Sequence, residues 1–343
     1  MQTRKQWRDQ MIENALDPDL PIIDSHHHLW MSSPAEPWEP YTPQDMAKDI
    51  ETCGHNVVAT IYTDSHANYR TSGPDVLKVV GETEFADSVA RQAQAGHELP
   101  TGMCAAIVAH ADLTLGAEAG EVLDAHIAAS SRFRGIRHMT AFDVDLPPVY
   151  GATEPGIMAS PAFRAGFAEL AKRGLTFDAW AFQPQLPELV DLSNTFPDAN
   201  IVVNHLGGPL AIGRFVGRRD EAFAQWKRDM ALLARNTNVS LKLGGINMSQ
   251  TGMDATDALR PHSSAETARL QRDHILTAID LFGPSRCMFE SNFPVDMRSI
   301  SYTLIWNAFK RITADLSSED RTALFAGTAA RVYRMGSVEG VGA

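Results

Sequence analysis

The chain has 343 residues and a net charge of −12, from 42 acidic against 30 basic residues. No Lys/Arg-rich run interrupts that balance, which argues against nucleic acid as a partner, and no window nears the roughly 18 consecutive apolar residues of a membrane span. Three cysteines without paired spacing (Cys53, Cys104, Cys287) and an N-terminus without an apolar signal core give the expectation of a cytoplasmic protein with buried thiols.

Residues 1–20 read as a short amphipathic helix carrying Trp7, Met11 and Leu16 that stops at Asp17-Pro18, an extension across the outside or bottom of the domain or against another subunit. The run Pro21-Ile22-Ile23-Asp24-Ser25-His26-His27-His28-Leu29-Trp30 follows. In an extended strand the period of two puts Asp24, His26 and His28 on one side, where two imidazoles can grip one divalent metal. The alternative is a histidine-rich strand end that caps and hydrogen-bonds, or a former metal site that now only binds substrate. The Pro- and aromatic-rich stretch 32–43 suits an ordered loop near a site, and Thr42-Pro43-Gln44-Asp45 starts a helix that runs to about Cys53.

From there apolar strands at about 56–62, 102–109, 134–138, 175–180, 200–205, 239–244 and 286–291 alternate with helices at about 83–96, 116–130, 161–173, 185–196, 219–236, 264–282 and 302–312. With the strand at 21–25 this makes eight β/α units and predicts an α/β fold of the (β/α)₈ barrel type rather than an open doubly wound sheet. Ser317-x-x-Asp320 opens a last helix to about Tyr333. The chain reads as one domain, 21–335, behind its N-terminal extension.

Barrel chemistry lies at the C-terminal strand ends. These offer Tyr62 and Asp64, then His110, Arg137 and His138, Asp178 and Trp180, and His205 before Gly-Gly-Pro. Lys242 points inward between Leu241 and Leu243, and Glu290 and Asn292 share the inward face of the last strand while Phe289 faces the helices. A carboxylate inside a barrel needs a partner, and Lys242 or a metal held by His26 and His28 supplies one; a buried Glu290–Lys242 ion pair without catalytic role is the competing reading. Arg137-His138 could clamp a carboxylate or pair with an acidic barrel residue. His205 is either aimed at a ligand or capped and solvent-facing; Trp180 is more often core than stacking platform, and His110 and His262 read as surface residues.

Ile-Asp-Ser-His-His-His-Leu-Trp at 23–30, Arg-Gly-Ile-Arg-His at 134–138, Phe-Asp-Ala-Trp at 177–180, Asn-His-Leu-Gly-Gly-Pro at 204–209 and Arg-Cys-Met-Phe-Glu-Ser-Asn-Phe-Pro-Val-Asp at 286–296 resemble the amidohydrolase superfamily. Within it the likeness is to the amidohydrolase-2 branch, which includes 2-pyrone-4,6-dicarboxylate lactonase and sugar-acid lactonases. The resemblance implies a distorted barrel, with His26 and His28 as the first-strand metal pair and His205 as the sixth-strand histidine that binds metal or polarises a substrate carbonyl. Where much of the superfamily has a water-activating Asp, this chain has Asn292, which cannot act as a general base.

The expectation is therefore a lactonase for a small carboxylated lactone of aromatic or sugar-acid catabolism. Glu290 or Asp296 accepts the proton of water, and His26, His28, Glu290 and His205 surround a divalent metal, zinc ahead of manganese, with catalysis by side chains alone also open. Arg137, His138, Lys242, Trp180 and Tyr62 bind substrate. A metal-dependent decarboxylase of a carboxylated phenol is the alternative, and a catalytically silent binding protein the third reading. Assembly into a homo-oligomer is left open.

Overall fold

The computed structural model describes residues 3–32, 39–96, 98–146 and 154–338. Among these, eight parallel strands pair in sequence order: β1 (Ile22–His27), β2 (Val57–Thr63), β3 (Ala106–His110), β4 (Phe133–Met139), β5 (Thr176–Trp180), β6 (Asn200–Val203), β7 (Val239–Leu243) and β8 (Cys287–Phe289). The seam between last and first is made just beyond β8. The Asn292 N–H donates to the His26 carbonyl (2.9 Å) and the His28 N–H to the Phe293 carbonyl (2.8 Å), so the sheet nearly closes into the expected (β/α)₈ barrel.

The helices between and around the strands are α1 (Arg4–Arg8), α2 (Pro43–Thr52), α3 (Val80–Gln94), α4 (Ala119–Ala129), α5 (Pro161–Lys172), α6 (Leu186–Thr195), α7 (Arg219–Leu233), α8 (Ser264–Phe282), α9 (Tyr302–Ile312), α10 (Ser318–Thr322) and α11 (Thr328–Val332). Side-chain alternation sorts the strands into two packed layers. Phe177, Ala179, Leu241, Leu243 and Phe289 face the helices, Phe289 stacking on Phe309 of α9 with ring centroids 4.5 Å apart. Ile23, Ala59, Ile61, Ala106, Val108, Val202 and Met288 fill the barrel, whose lower end is closed by Ala326, Ala329 and Tyr333 from the C-terminal segment.

Two expectations need correction here. In the N-terminal extension only Arg4–Arg8 is helical, because the following backbone is spent on α9: Asn307 accepts the Leu16 N–H (2.8 Å) and Lys310 Nζ donates to the Leu16 and Asp17 carbonyls. It also lies across the outside near the C-terminal ends of the strands rather than the bottom. Arg4, Trp7 and Arg8 donate to the carbonyls of Thr256, Ala258 and Met297, in the loops after β7 and β8. The predicted strand at 102–109 loses its first part to a turn, where Gly102 packs so closely on β2 that a Cβ would sit 2.0 Å from the Val58 carbonyl oxygen. The stretch 32–43 lies partly outside the described residues. The three cysteines are free and buried, and no helix among the described residues is long and apolar enough to cross a membrane.

Outside the barrel, His126 of α4 is fully buried, its Nε2–H donating to the His110 carbonyl (3.0 Å) while the Thr83 hydroxyl donates into Nδ1 (2.7 Å). Burial lowers its pKa from 6.5 to about 4. A histidine with a depressed folded pKa contributes stability that is present above 6.5 and lost as pH falls toward 4. Wild-type protein should therefore lose about 2 kcal/mol relative to H126Q between pH 8 and pH 5 in urea unfolding.

Candidate active site

The strand that carries the histidines is not regular. Asp24 pairs with Thr60 and His27 with Tyr62, three residues on β1 against two on β2, so β1 holds a one-residue bulge. The extra residue breaks the period of two. Asp24, expected beside His26, instead faces the outer layer. It accepts from the Ser291 N–H (2.8 Å), the Ser291 hydroxyl (2.6 Å) and the Tyr302 hydroxyl (2.9 Å), which ties β1 to β8 and α9. Beyond the bulge His26 and His28 turn inward, and His27 bonds outward to the Thr60 hydroxyl (2.8 Å).

Glu290 lies at the centre, fully buried. Its Oε1 accepts from the backbone N–H (3.1 Å) and the Nδ1–H (2.8 Å) of His205, and its Oε2 lies 3.1 Å from His26 Nδ1 without the alignment of a hydrogen bond. The turn after β6 makes this possible. His205 and Leu206 adopt φ of +53° and +55°, which bring ring and backbone N–H onto one carboxylate oxygen. The end of β7 clears the space: a Cβ on Gly244 would sit 2.6 Å from Glu290 Cγ, and one on Gly245 only 1.9 Å from His205 Nδ1. Trp180 closes the far side, edge-on to the His205 ring at 4.6 Å.

His26 has a donor at each edge, Arg137 Nη1 3.2 Å from Nε2 and Lys242 Nζ 3.3 Å from Nδ1. Its own proton has two places. On Nε2 it donates to His28 Nε2 (3.2 Å), whose lone pair is free because the His28 Nδ1–H is committed to the Thr63 carbonyl (2.9 Å). On Nδ1 it faces Glu290, Nε2 accepts from Arg137 Nη1, and the His28 Nε2 lone pair lies 3.2 Å from Nε2 with no proton between them, a space that suits a cation. Nitrogen ligands around a tetrahedral zinc at ~2.0–2.1 Å are separated by about this much. Burial first, and then positive charge, chiefly that of Lys242 on His26 and of Arg137 on His28, hold both rings well below the usual histidine pKa and so in the neutral form a metal requires. The undonated Glu290 Oε2, and donor atoms of His26, His205 and Glu290 within 4.8 Å of one another, also fit a divalent ion.

The remaining expected residues divide. Lys242 is inward as expected, but its ion pair is with Asp178 of β5 (2.7 Å) and not with Glu290. The Tyr333 hydroxyl, rising from the barrel floor, donates to the same Asp178 carboxylate (2.8 Å). Arg137 reaches the centre with its Nε held by Asp64 (2.6 Å). His138, one residue on, points the other way, accepting the Leu113 N–H (3.1 Å) and meeting Phe163 of α5 at 5.5 Å, so it is not beside Arg137 at a substrate. Tyr62 likewise faces outward, its hydroxyl donating to Glu82 of α3 (2.7 Å). Both departures are strand alternation applied one residue over.

Asp296 lies beside Asn292. Its two oxygens accept from Asn292 Nδ2 (2.8 Å) and from the backbone and side chain of Asn247 (3.1 and 2.9 Å). Burial, with the charge of Glu290 adding to it, pushes its pKa up to about 7. It therefore fixes Asn292, and its lone pairs are engaged there rather than on a water. Asp64 and Asp178 stand among the strand-end residues of the sequence but are given no role by it, and the Gly244-Gly245 pair is not singled out. The available signals are inward parity for Asp178 and a Gly-Gly pair two residues after the inward Lys242.

Comparison with known proteins agrees with this architecture. Residues 23–335 match the family model described as amidohydrolase. The chain is 33% identical over 339 residues to the uncharacterized protein y4mH of Sinorhizobium fredii, covering 92% of this chain and 99% of that one. It is 28% identical over 325 residues to an L-fucono-1,5-lactonase of Burkholderia multivorans, covering 91% and 96%. A crystal structure of an amidohydrolase from Burkholderia multivorans with bound zinc superposes with a TM-score of 0.69 at 25% identity, covering 92% and 99%. With its eight-stranded barrel and a family match over nearly its whole length, this chain belongs to the amidohydrolase family.

Proposed function

We propose that the chain is a hydrolase that opens a small carboxylated lactone by attack of water on the ring carbonyl. The observation that carries the reading is the buried Glu290–His205 pair, with Oε1 2.8 Å from Nδ1. With its Nδ1–H held by the carboxylate, His205 takes the proton of the attacking water at Nε2, and Glu290 stabilises the imidazolium that forms. The same proton then returns to the ring oxygen as the ester bond breaks. The second contact of Glu290, to the His205 backbone N–H, keeps the carboxylate from turning away.

Arg137 and Lys242 bring two positive charges to the edges of His26, where they favour the carboxylate of the substrate and the charge that develops on the carbonyl oxygen. Trp180 gives the ring an apolar wall beside His205. A divalent ion, zinc ahead of manganese, would be held by His26, His28 and the undonated Glu290 Oε2, with His205 Nε2 left to the water. When bound it supplies Lewis-acid polarisation of the carbonyl.

The lactonase relative supports sugar-acid 1,5-lactones ahead of pyrone dicarboxylates as the substrate class, and for a lactone with no second carboxyl group Arg137 and Lys242 serve the developing oxyanion alone. The test is a panel of both, with carboxylated phenols alongside, assayed at pH 7.5 with and without added Zn²⁺ or Mn²⁺ by acid release and by CO₂ release. Acid released from a lactone without CO₂ is expected. Failure to open any lactone, or CO₂ from a carboxylated phenol, would replace the lactonase reading with the decarboxylase one or with a silent binding protein.

A further inference from the structure

A second group of donor side chains stands at the C-terminal ends of β2 and β3, of which the inner centre uses only the Asp64 Oδ1 that holds Arg137. Asp64, directly after β2, is fully buried. Its Oδ1 accepts from Arg137 Nε, but its Oδ2 accepts no hydrogen bond and lies 3.2 Å from His66 Nε2. His110, the last residue of β3, has its Nδ1 3.1 Å from the Arg137 carbonyl. A carbonyl only accepts, so the His110 proton sits on Nδ1 and Nε2 keeps a lone pair, the state in which a metal-ligating histidine is oriented by an outer partner.

The His66 and His110 rings are 4.7 Å apart, and one donor atom from each of Asp64, His66 and His110 falls within 4.8 Å of the others. His66 reaches back to Asp64 because its loop is fastened from outside the group. Glu82 of α3 accepts from the Ser65 N–H (2.7 Å) and hydroxyl (3.1 Å), and His66 adopts φ of +57°. Its side chain is 46% exposed, so the group opens to solvent.

We propose that Asp64, His66 and His110 form a second divalent-cation site, distinct from the His26–Glu290 centre, that ties the loop after β2 to the end of β3. Two imidazoles and one carboxylate with an open position suit an ion of borderline softness such as zinc. They do not suit calcium or magnesium, which take mostly oxygen ligands. The separation of Asp64 Oδ2 from His66 Nε2 already matches that of two ligands on one zinc. Arg137 holds the other carboxylate oxygen and leaves Oδ2 to the ion.

The test loads metal-free full-length protein with Zn²⁺, removes the excess, and reads metal content together with anomalous scattering at the zinc edge. Wild type is expected to retain two equivalents, with one peak between Asp64, His66 and His110. H66A, a change at a half-exposed position, should lose that peak and one equivalent while the other remains. H26Q should keep the outer peak, and zinc should still raise its Tm, an effect that disappears in H26Q/H66A. No peak among the three residues, or a peak and a metal content that survive in both H66A and H110Q, would overturn the proposal whatever reaction the inner centre catalyses.

Discussion

Replacing Glu290 by glutamine is expected to lower kcat/KM for lactone opening about a thousandfold, within the usual range for removing a positioned general acid–base partner. The cause is local. Oε1 faces two donors of His205, its backbone N–H and its Nδ1–H, and an amide there either keeps one neutral acceptor or turns an N–H against an N–H. In both cases the imidazolium formed during attack loses its counter-charge. Folding stability should change in the other direction or hardly at all. Glu290 is a fully buried carboxylate whose Oε2 has no donor, and neutralising such a group removes a desolvation penalty. A large kcat/KM loss with an unchanged or higher Tm is therefore the expected pair of results. Activity within tenfold of wild type would show that the proton goes elsewhere.

The second large effect is expected at a residue with no functional group. Gly245 has φ of +61°, and a Cβ there would lie 1.9 Å from His205 Nδ1, the atom that holds Glu290. Gly245→Ala carries two separable costs. The left-handed backbone alone costs about 1–2 kcal/mol for a residue with a Cβ. Displacing the imidazole from the carboxylate in a packed site adds on the order of 1–3 kcal/mol and takes activity with it. Gly156, left-handed with φ of +76° and ψ of +14° and with nothing within 4 Å of an added Cβ, isolates the first cost. G156A should be modestly less stable and fully active, whereas G245A should be both less stable and nearly inactive. If the two variants behave alike in both assays, the close approach of Gly245 to His205 has no functional weight.

The barrel was legible because its logic repeats. Eight apolar strands alternate with helices, Ser263 and Glu266 cap α8 reciprocally as their spacing requires, and Lys242 and Glu290 face inward by simple alternation. What sequence could not give was any departure from period. The bulge between Asp24 and His27 reverses the side on which Asp24 lies, and no residue in Asp-Ser-His-His announces it. Tyr62 and His138 were misplaced for a related reason: each sits next to an inward residue at a strand end, and the register that decides between neighbours is set by pairing with other strands. Pairings across the barrel were also hidden. Asp178 and Lys242 are 64 residues apart in sequence, and Asp64 and Arg137 are 73, so only the closed sheet shows which acid neutralises which base.

Asn292 does not leave the centre without a carboxylate. Glu290, two residues earlier, holds His205, while Asp296 holds Asn292 and Asn247.

The most direct test of the account is turnover of an opened lactone in H₂¹⁸O, comparing wild type with E290Q by mass spectrometry of the product. The account predicts one ¹⁸O in the new carboxylate, no labelled CO₂, and a rate of incorporation that falls with the Glu290 substitution. Product without ¹⁸O, or incorporation at the same rate in E290Q, would contradict the claim that His205 and Glu290 together deliver water to the carbonyl.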